Sequence, residues 1–134
     1  MYLAFDFGTR NIGVASGQKL TGTATPLQKI NAKRGVPNWK EVEDLIKKWQ
    51  PTALIVGVPI NLDGTEHEIT NYAKNFIRQL EERFHLPVYA AEERLTTKAA
   101  RSRIFEAGGY KALQAESIDS FAAKLILEEW MRSN

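Results

Sequence analysis

Three carboxylates carry the chemical interest of this sequence: Asp6, Glu93 and Asp119. Asp6 sits in the apolar run Tyr2 to Phe7, which is too short for a helix and reads as a buried strand. Strand alternation puts it on one face with Tyr2 and Ala4. A carboxylate there needs a partner or a cation, because an isolated buried anion is costly. The alternative is an Asx-type turn, with Asp6 accepting from the backbone N–H groups of Gly8 and Thr9. Glu93 follows Tyr89 and Ala91 on one side of a second strand, with Glu92 on the opposite face. A solvated strand end would also suit it. Asp119 falls in the first turn of the last helix, where the macrodipole alone favours an acid. Ala122, Ala123 and Ile126 follow at i+3, i+4 and i+7, so Asp119 heads the apolar, sheet-facing stripe.

Carboxylates gathered at one site repel, and a divalent cation relieves the repulsion. Oxygen-only ligation selects hard ions, Mg²⁺ or Mn²⁺. Two such ions about 3.5–4 Å apart would clamp the attacking and leaving oxygens of a phosphodiester during displacement by water. The chain contains no cysteine, which excludes disulfides, zinc–thiolate sites and thiol catalysis. His67 and His85 read as helix-surface or loop residues.

The elements that would position these groups follow from hydrophobic period. Tyr2–Phe7, Ile12–Ser16 and Thr21–Ile30 read as strands joined by short connections, an antiparallel meander, with Pro26 placing the third near an edge. The period then becomes helical. Asn38 caps an amphipathic helix over Trp39–Gln50, carried by Val42, Leu45, Ile46 and Trp49 and ended by Pro51. Ala53–Val58 is a continuous apolar run, the mark of a central strand covered on both faces. Pro59–Thr65 is a polar loop with Asp-Gly turn chemistry. Helical spacing returns from about Glu66 to Phe84, then a strand from Val88 to Ala91 ends in Glu92-Glu93-Arg94. Thr96 or Thr97 caps a helix to about Ala107, stopped by Gly108-Gly109. After a loop over Tyr110–Glu116, Ser117 caps a final helix from Ile118 to about Met131. The order β-β-β-α-β-α-β-α-α demands parallel strands with crossover helices after the hairpins. Parallel strands present their C-terminal ends at one sheet edge, where α/β proteins bind ligands.

The 134 residues suit one α/β domain, 1–134, with a real hydrophobic core. Eighteen basic and sixteen acidic side chains leave a net +2, and 43% hydrophobic residues exclude disorder. No apolar stretch approaches the roughly 18 residues of a membrane span, and Met1 runs directly into a strand, so a soluble intracellular protein without a membrane partner is expected. Lys29, Lys33 and Arg34 cluster, and Arg10, Arg94, Lys98, Arg101 and Arg103 lie near the acidic motifs; taken alone, each cluster reads as solvated surface charge.

Five stretches carry a resemblance in series: DFGTRNIGVA (Asp6–Ala15), ATPLQKI (Ala24–Ile30), IVGVPINLDGT (Ile55–Thr65), EERLTT (Glu92–Thr97) and IDSFAAKLIL (Ile118–Leu127). Together they resemble the YqgF family of bacterial pre-16S rRNA nucleases and Holliday junction resolvases. The resemblance spans essentially the whole chain. It implies a ribonuclease H-like fold: a five-stranded mixed sheet, three antiparallel strands then parallel β-α units, with helices on both faces. It also implies a cytoplasmic, metal-dependent hydrolase of structured nucleic acid, with precursor rRNA or branched DNA as substrate. Ribosomal assembly particles and a homodimer are further expected partners. Asp6, Glu93 and Asp119 match the family's catalytic, metal-holding acids. Glu92 stands where relatives commonly have Asp, and Asn11 where they often have a second base. Within that frame Gly8 and Gly13 would let backbone approach a phosphate, with Thr9 and Arg10 donating to it, or would serve ordinary turn chemistry. Asn61 would position substrate beside Asp63, a spare metal ligand. Arg94, Thr96 and Thr97 would hold the scissile backbone.

Two other classes fit parts of the pattern. Actin-like kinases and ATPases also open with Asp-x-Gly-Thr, but their cleft lies between two such halves, longer than this chain. A nucleic-acid-binding ribosome-assembly factor with a residual acidic site would keep the fold without catalysis.

Overall fold

The computed structural model describes residues 1–8, 10–59, 68–93 and 118–134. In chain order the elements are β1 (Tyr2–Asp6), β2 (Asn11–Gln18), β3 (Thr23–Lys33), β4 (Val36–Pro37), α1 (Trp39–Trp49), β5 (Ala53–Pro59), α2 (Glu68–Phe84), β6 (Val88–Glu93) and α3 (Ile118–Ser133). The expected helix after Thr96 or Thr97, its Gly108-Gly109 stop, the loops over 60–65 and 110–116 and the Ser117 cap lie outside the described residues.

One mixed sheet runs in the order β4-β3-β2-β1-β5-β6. β1, β2, β3 and β4 pair antiparallel in succession, whereas β1–β5 and β5–β6 are parallel. The meander and the parallel β-α units stand as the sequence implies, but among the described residues the sheet has six strands rather than five. The additional strand arises because β3 continues past Ile30 and turns back at Arg34 and Gly35. Both have positive φ, 52° and 81°, and they join the paired residues Lys33 and Val36. That is a two-residue, type I′-like hairpin, whose twist matches the flanking strands. The signal was the lone glycine after Arg34; Asn-Gly or Asp-Gly would have been easier to see. β4 pairs with Ala32 and Lys33, so among the described residues Pro26 stands where β3 has no outer partner.

The two sheet faces are built differently. On one, Leu3, Phe5, Val14, Ile30, Leu54 and Val56 pack with residues of α1 and α2. Phe76 of α2 is central to this layer, with ring centroids 5.6 Å from Phe5, 5.4 Å from Phe7 and 5.8 Å from Trp39. On the other face, Ala4, Ala15, Ala24 and Ile55 meet Ala123, Ile126, Leu127 and Met131 of α3. Small sheet residues there let α3 approach closely. A Cβ on Gly17 would stand 2.9 Å from the Leu127 side chain.

Local chemistry sets the helix ends. The Asn38 side chain accepts from the Lys40 amide at 3.1 Å, satisfying one orphan donor of α1. At the other end Gln50 turns left-handed and its N–H closes on the Ile46 carbonyl at 2.8 Å. His85 ends α2 in the same way, its N–H donating to the Glu81 carbonyl at 3.0 Å.

Phe76→Ala is expected to lower stability by about 3–5 kcal/mol, since the ring is fully enclosed by other large side chains. Urea unfolding measures it; a loss under ~1 kcal/mol would show that this layer collapses around the gap.

Candidate functional site

The C-terminal ends of β1, β5 and β6 lie at one sheet edge because these strands are parallel. Asp6 is the last residue of β1 and half-buried. Its partners on either side are Gly13 of β2 and Gly57 of β5. Across the sheet Asp6 thus has a glycine on each side. Gly57 in turn pairs with Ala91, so the row across this face is Gly-Asp-Gly-Ala. Glu93 occupies the next same-face register position on β6, opposite Pro59. By strand spacings its Cα lies about 12 Å from that of Asp6, two strands across and one same-face step along. Glu92 pairs with Val58 at the position of opposite parity and is exposed.

Asp119 reaches the same corner by another route. A Cβ built on Gly13 would fall 1.9 Å from the Asp119 carbonyl oxygen and 2.5 Å from the Ser120 nitrogen. The first turn of α3 therefore rests directly on the backbone beside Asp6. No residue but glycine fits at position 13. Asp119 is half-buried at the head of the stripe that continues through Ala122, Ala123 and Ile126, as helical spacing implies.

A further residue pins this contact. β2 and β3 change register between Ile12 and Val14, with two β3 residues, Gln28 and Lys29, opposite Gly13. At this bulge the Val14 amide donates to Oγ of Ser120 at 3.2 Å, and both residues are fully buried. Farther along α3, the Ala24 amide donates to Oε2 of Glu128 at 3.2 Å. Sequence reasoning passed over Ser120. Its signal was a small hydroxyl at an inward helix position, three residues before Ala123 and seven before Leu127. Gly57 was equally readable, as a glycine breaking the apolar run of a central strand.

Gly8 is explained by its own turn: a Cβ would lie 2.5 Å from the Asn11 carbonyl oxygen. Arg10 is exposed, and its carbonyl accepts from the Ala32 amide at 2.8 Å, tying the β1–β2 connection to the end of β3. Thr9, Asn61, Asp63, His67, Arg94, Thr96 and Thr97 lie outside the described residues, as does the Glu93 side chain. Among the described residues no group of three His, Cys, Asp or Glu side chains converges on one point. The structure thus sets the backbones of Asp6 and Asp119 on Gly13 from two sides, and the Glu93 backbone on the same edge and face.

The fold is similar to those of solved structures. Thermus thermophilus RuvC in complex with a Holliday junction substrate superposes with a TM-score of 0.56 at 13% identity, over 98% of this chain and 94% of that one. The fowlpox virus Holliday junction resolvase gives 0.57 at 12% identity, over 98% and 97%. The fold is therefore ribonuclease H-like. Residues 1–133 match the family model described as RuvX: Holliday junction resolvase. An Aeromonas salmonicida protein named "Putative pre-16S rRNA nuclease" is 57% identical over 129 residues, covering 96% of this chain and 92% of its own. One of the same name from Actinobacillus pleuropneumoniae is 53% identical over 131 residues, covering 98% and 96%. The chain belongs to the RuvX (YqgF) family, as its motifs indicated.

Two substitutions test the corner. Ser120→Ala should cost about 1–3 kcal/mol, because it leaves the buried Val14 amide unsatisfied. Gly13→Ala should cost at least as much, about 1–3 kcal/mol or more, by forcing α3 off the sheet. Denaturant midpoints measure both, and a wild-type midpoint for Gly13→Ala would contradict the contact.

Proposed function

We propose that this nuclease, acting as one ribonuclease H-like domain over residues 1–134, cleaves precursor rRNA at the 5′ side of 16S sequence. Asp6, Glu93 and Asp119 supply the carboxylates, and the seating of the α3 backbone at Asp119 on Gly13, the strand neighbour of Asp6, is the observation that carries the reading. The donor chemistry fits a hard divalent cation: the three groups are oxygen ligands, and Asp6 stands at the C-terminal end of its strand between two glycines, with the backbone of α3 seated on one of them. When bound, Mg²⁺ or Mn²⁺ would acidify a water and offset charge on the phosphodiester.

The remaining roles belong to the chain. Asp6 and Asp119 hold negative charge at the sheet edge where a phosphodiester must approach, so unassisted substrate would be repelled. Arg10 answers that repulsion by directing positive charge to the phosphate, with Thr9 donating beside it and Gly8 shaping the turn that carries both. Asn61, Arg94, Thr96 and Thr97 position the strand on either side of the scissile bond. Attack by water needs no covalent enzyme intermediate, in keeping with a site built from acids without cysteine. The protein works in the cytoplasm on ribosome assembly particles. No helix among the described residues is long and apolar enough to cross a membrane.

A second reading, resolution of branched DNA, is favoured by the family's description as a Holliday junction resolvase. Symmetric cutting of two strands would then require a twofold homodimer.

The test incubates the purified protein with a precursor rRNA fragment and a four-way DNA junction in parallel, with Mn²⁺ and with chelator. Cleavage of the RNA, lost with chelator, is expected; cutting of the junction alone would select the second reading. Binding without cleavage of either substrate would instead indicate an assembly factor. Asp6→Asn is expected to reduce cleavage by at least about 100-fold, the scale of losing a group that stabilises transition-state charge. Mn²⁺ should raise the wild-type melting temperature and leave that of Asp6→Asn nearly unmoved. Equal metal-induced shifts in the two proteins would remove Asp6 from the metal site.

A further inference from the structure

Charge is segregated along this chain. Residues 1–38 carry five basic side chains and one acid, Asp6, whereas residues 39–134 carry thirteen bases and fifteen acids. Pairing follows the same division. Lys40, Lys47, Arg78 and Arg132 on the helices each meet an acid three or four residues away. On α1 the Lys47 ammonium donates to Glu43 and holds that carboxyl below its usual range. Lys48, Arg83 and Lys124 lie over aromatic rings. Among the described residues, Arg10, Lys29, Lys33 and Arg34 meet no acid and no ring.

These four cations lie along one path. Lys29 falls in the bulge opposite Gly13, the strand neighbour of Asp6. Arg10 is bonded through its carbonyl to Ala32, one residue before Lys33. Lys33 and Arg34 form the end of the β3–β4 hairpin, which projects from the same sheet edge as Asp6. By strand spacings the Lys33 Cα is about 15 Å from that of Asp6, two strands across and some four residues along. The tip is also held in place. Gly35, at φ 81°, packs so closely on Tyr72 of α2 that a Cβ would meet the ring at 2.9 Å. An open groove of about 850 Å³ runs beside it, lined by Asn31, Lys33, Arg34, Val36 and Asn38 among others.

Exposed cations held on a fixed turn, with no anion among the described residues to neutralise them, suit a polyanion that follows a path. We propose that the β3–β4 hairpin is a second substrate-binding surface, where Lys33 and Arg34 contact backbone phosphates of the RNA strand a few nucleotides from the scissile bond. This deepens the reading of the site as an rRNA-cleaving one and rests on it. The hairpin adds grip and register without reading bases, because ammonium and guanidinium contacts to phosphate carry no sequence information.

The test is the salt dependence of binding, measured by anisotropy in chelator with a fluorescein-labelled RNA stem bearing a single-stranded 5′ extension. Lys33→Gln/Arg34→Gln should lower the slope of log affinity against log salt by about 1.4, the value for two single-strand phosphate contacts. Lys40→Gln/Lys47→Gln removes the same net charge from α1 and should leave the slope unchanged. Equal slopes for wild type and the hairpin variant would overturn the proposal, as would an equal fall in the α1 variant. A fall seen only with a four-way DNA junction would overturn it as an RNA surface. Melting temperatures of all three proteins are compared, and a slope change accompanied by unfolding is set aside in favour of Arg34→Gln alone, for which a fall of about 0.7 is expected and no fall overturns the idea. Cleavage by the wild type in Mn²⁺ is scored separately: cleavage with unchanged slopes removes the hairpin and keeps the nuclease, while failure to cleave either nucleic acid removes the nuclease reading itself.

Discussion

The first turn of α3 lies against the bare backbone of Gly13, and the site depends on that contact. Any side chain at position 13 would occupy the space of the Asp119 carbonyl. Because Gly13 is also the cross-strand partner of Asp6, one close approach makes near neighbours of two backbone segments whose acids are 113 positions apart in sequence. The Ser120 hydroxyl closes the arrangement by taking the Val14 amide at the β2 bulge. A hydrogen bond there does two things. It satisfies a buried donor, and it fixes how far α3 extends past the sheet edge.

The two faces of the sheet divide the work. Beneath α1 and α2 the layer is made of large side chains, Phe5, Phe76, Leu54 and Leu80 among them, and is the natural source of stability. Beneath α3 the layer is made of alanine and glycine, which contribute little buried area but permit close packing. Close packing matters because it fixes where the first turn of α3 sits on the sheet, and a backbone resting on a backbone has no rotamers to lose. The face that is poorer in hydrophobic burial is the one that positions the acids.

Electrostatics completes the arrangement. Acids at the mouth of the parallel strands repel a phosphate chain as well as one another. In the meander that leads up to them every other charge is positive. The hairpin that the sequence pattern did not anticipate carries two of those charges to its tip, and Tyr72 buttresses the turn. Attraction a short distance from the acids offsets the repulsion at them, so a polyanion can be drawn in without neutralising the groups that would act on it.

Much of this was readable in one dimension. Hydrophobic period gave the meander, the capped helix after Asn38, the doubly covered β5 strand and the inward placement of Asp119, because these depend on short-range periodicity and local caps. The motif series likewise placed the chain in its family. Readability failed where the decisive partner is distant in sequence. Arg34-Gly35 is a weak turn signal, and only pairing of Lys33 with Val36 makes it a hairpin. Gly8 and Gly13 read as places where backbone could approach a phosphate or as ordinary turn glycines, and only the fold shows that a carbonyl of the same chain fills the space where each would carry a side chain. Ser120 read as an unremarkable helix residue until the bulge supplied its donor. Residue types and local order are written in the chain, but which backbone must yield to which is a property of surfaces in contact, and only the folded sheet and helix define those surfaces.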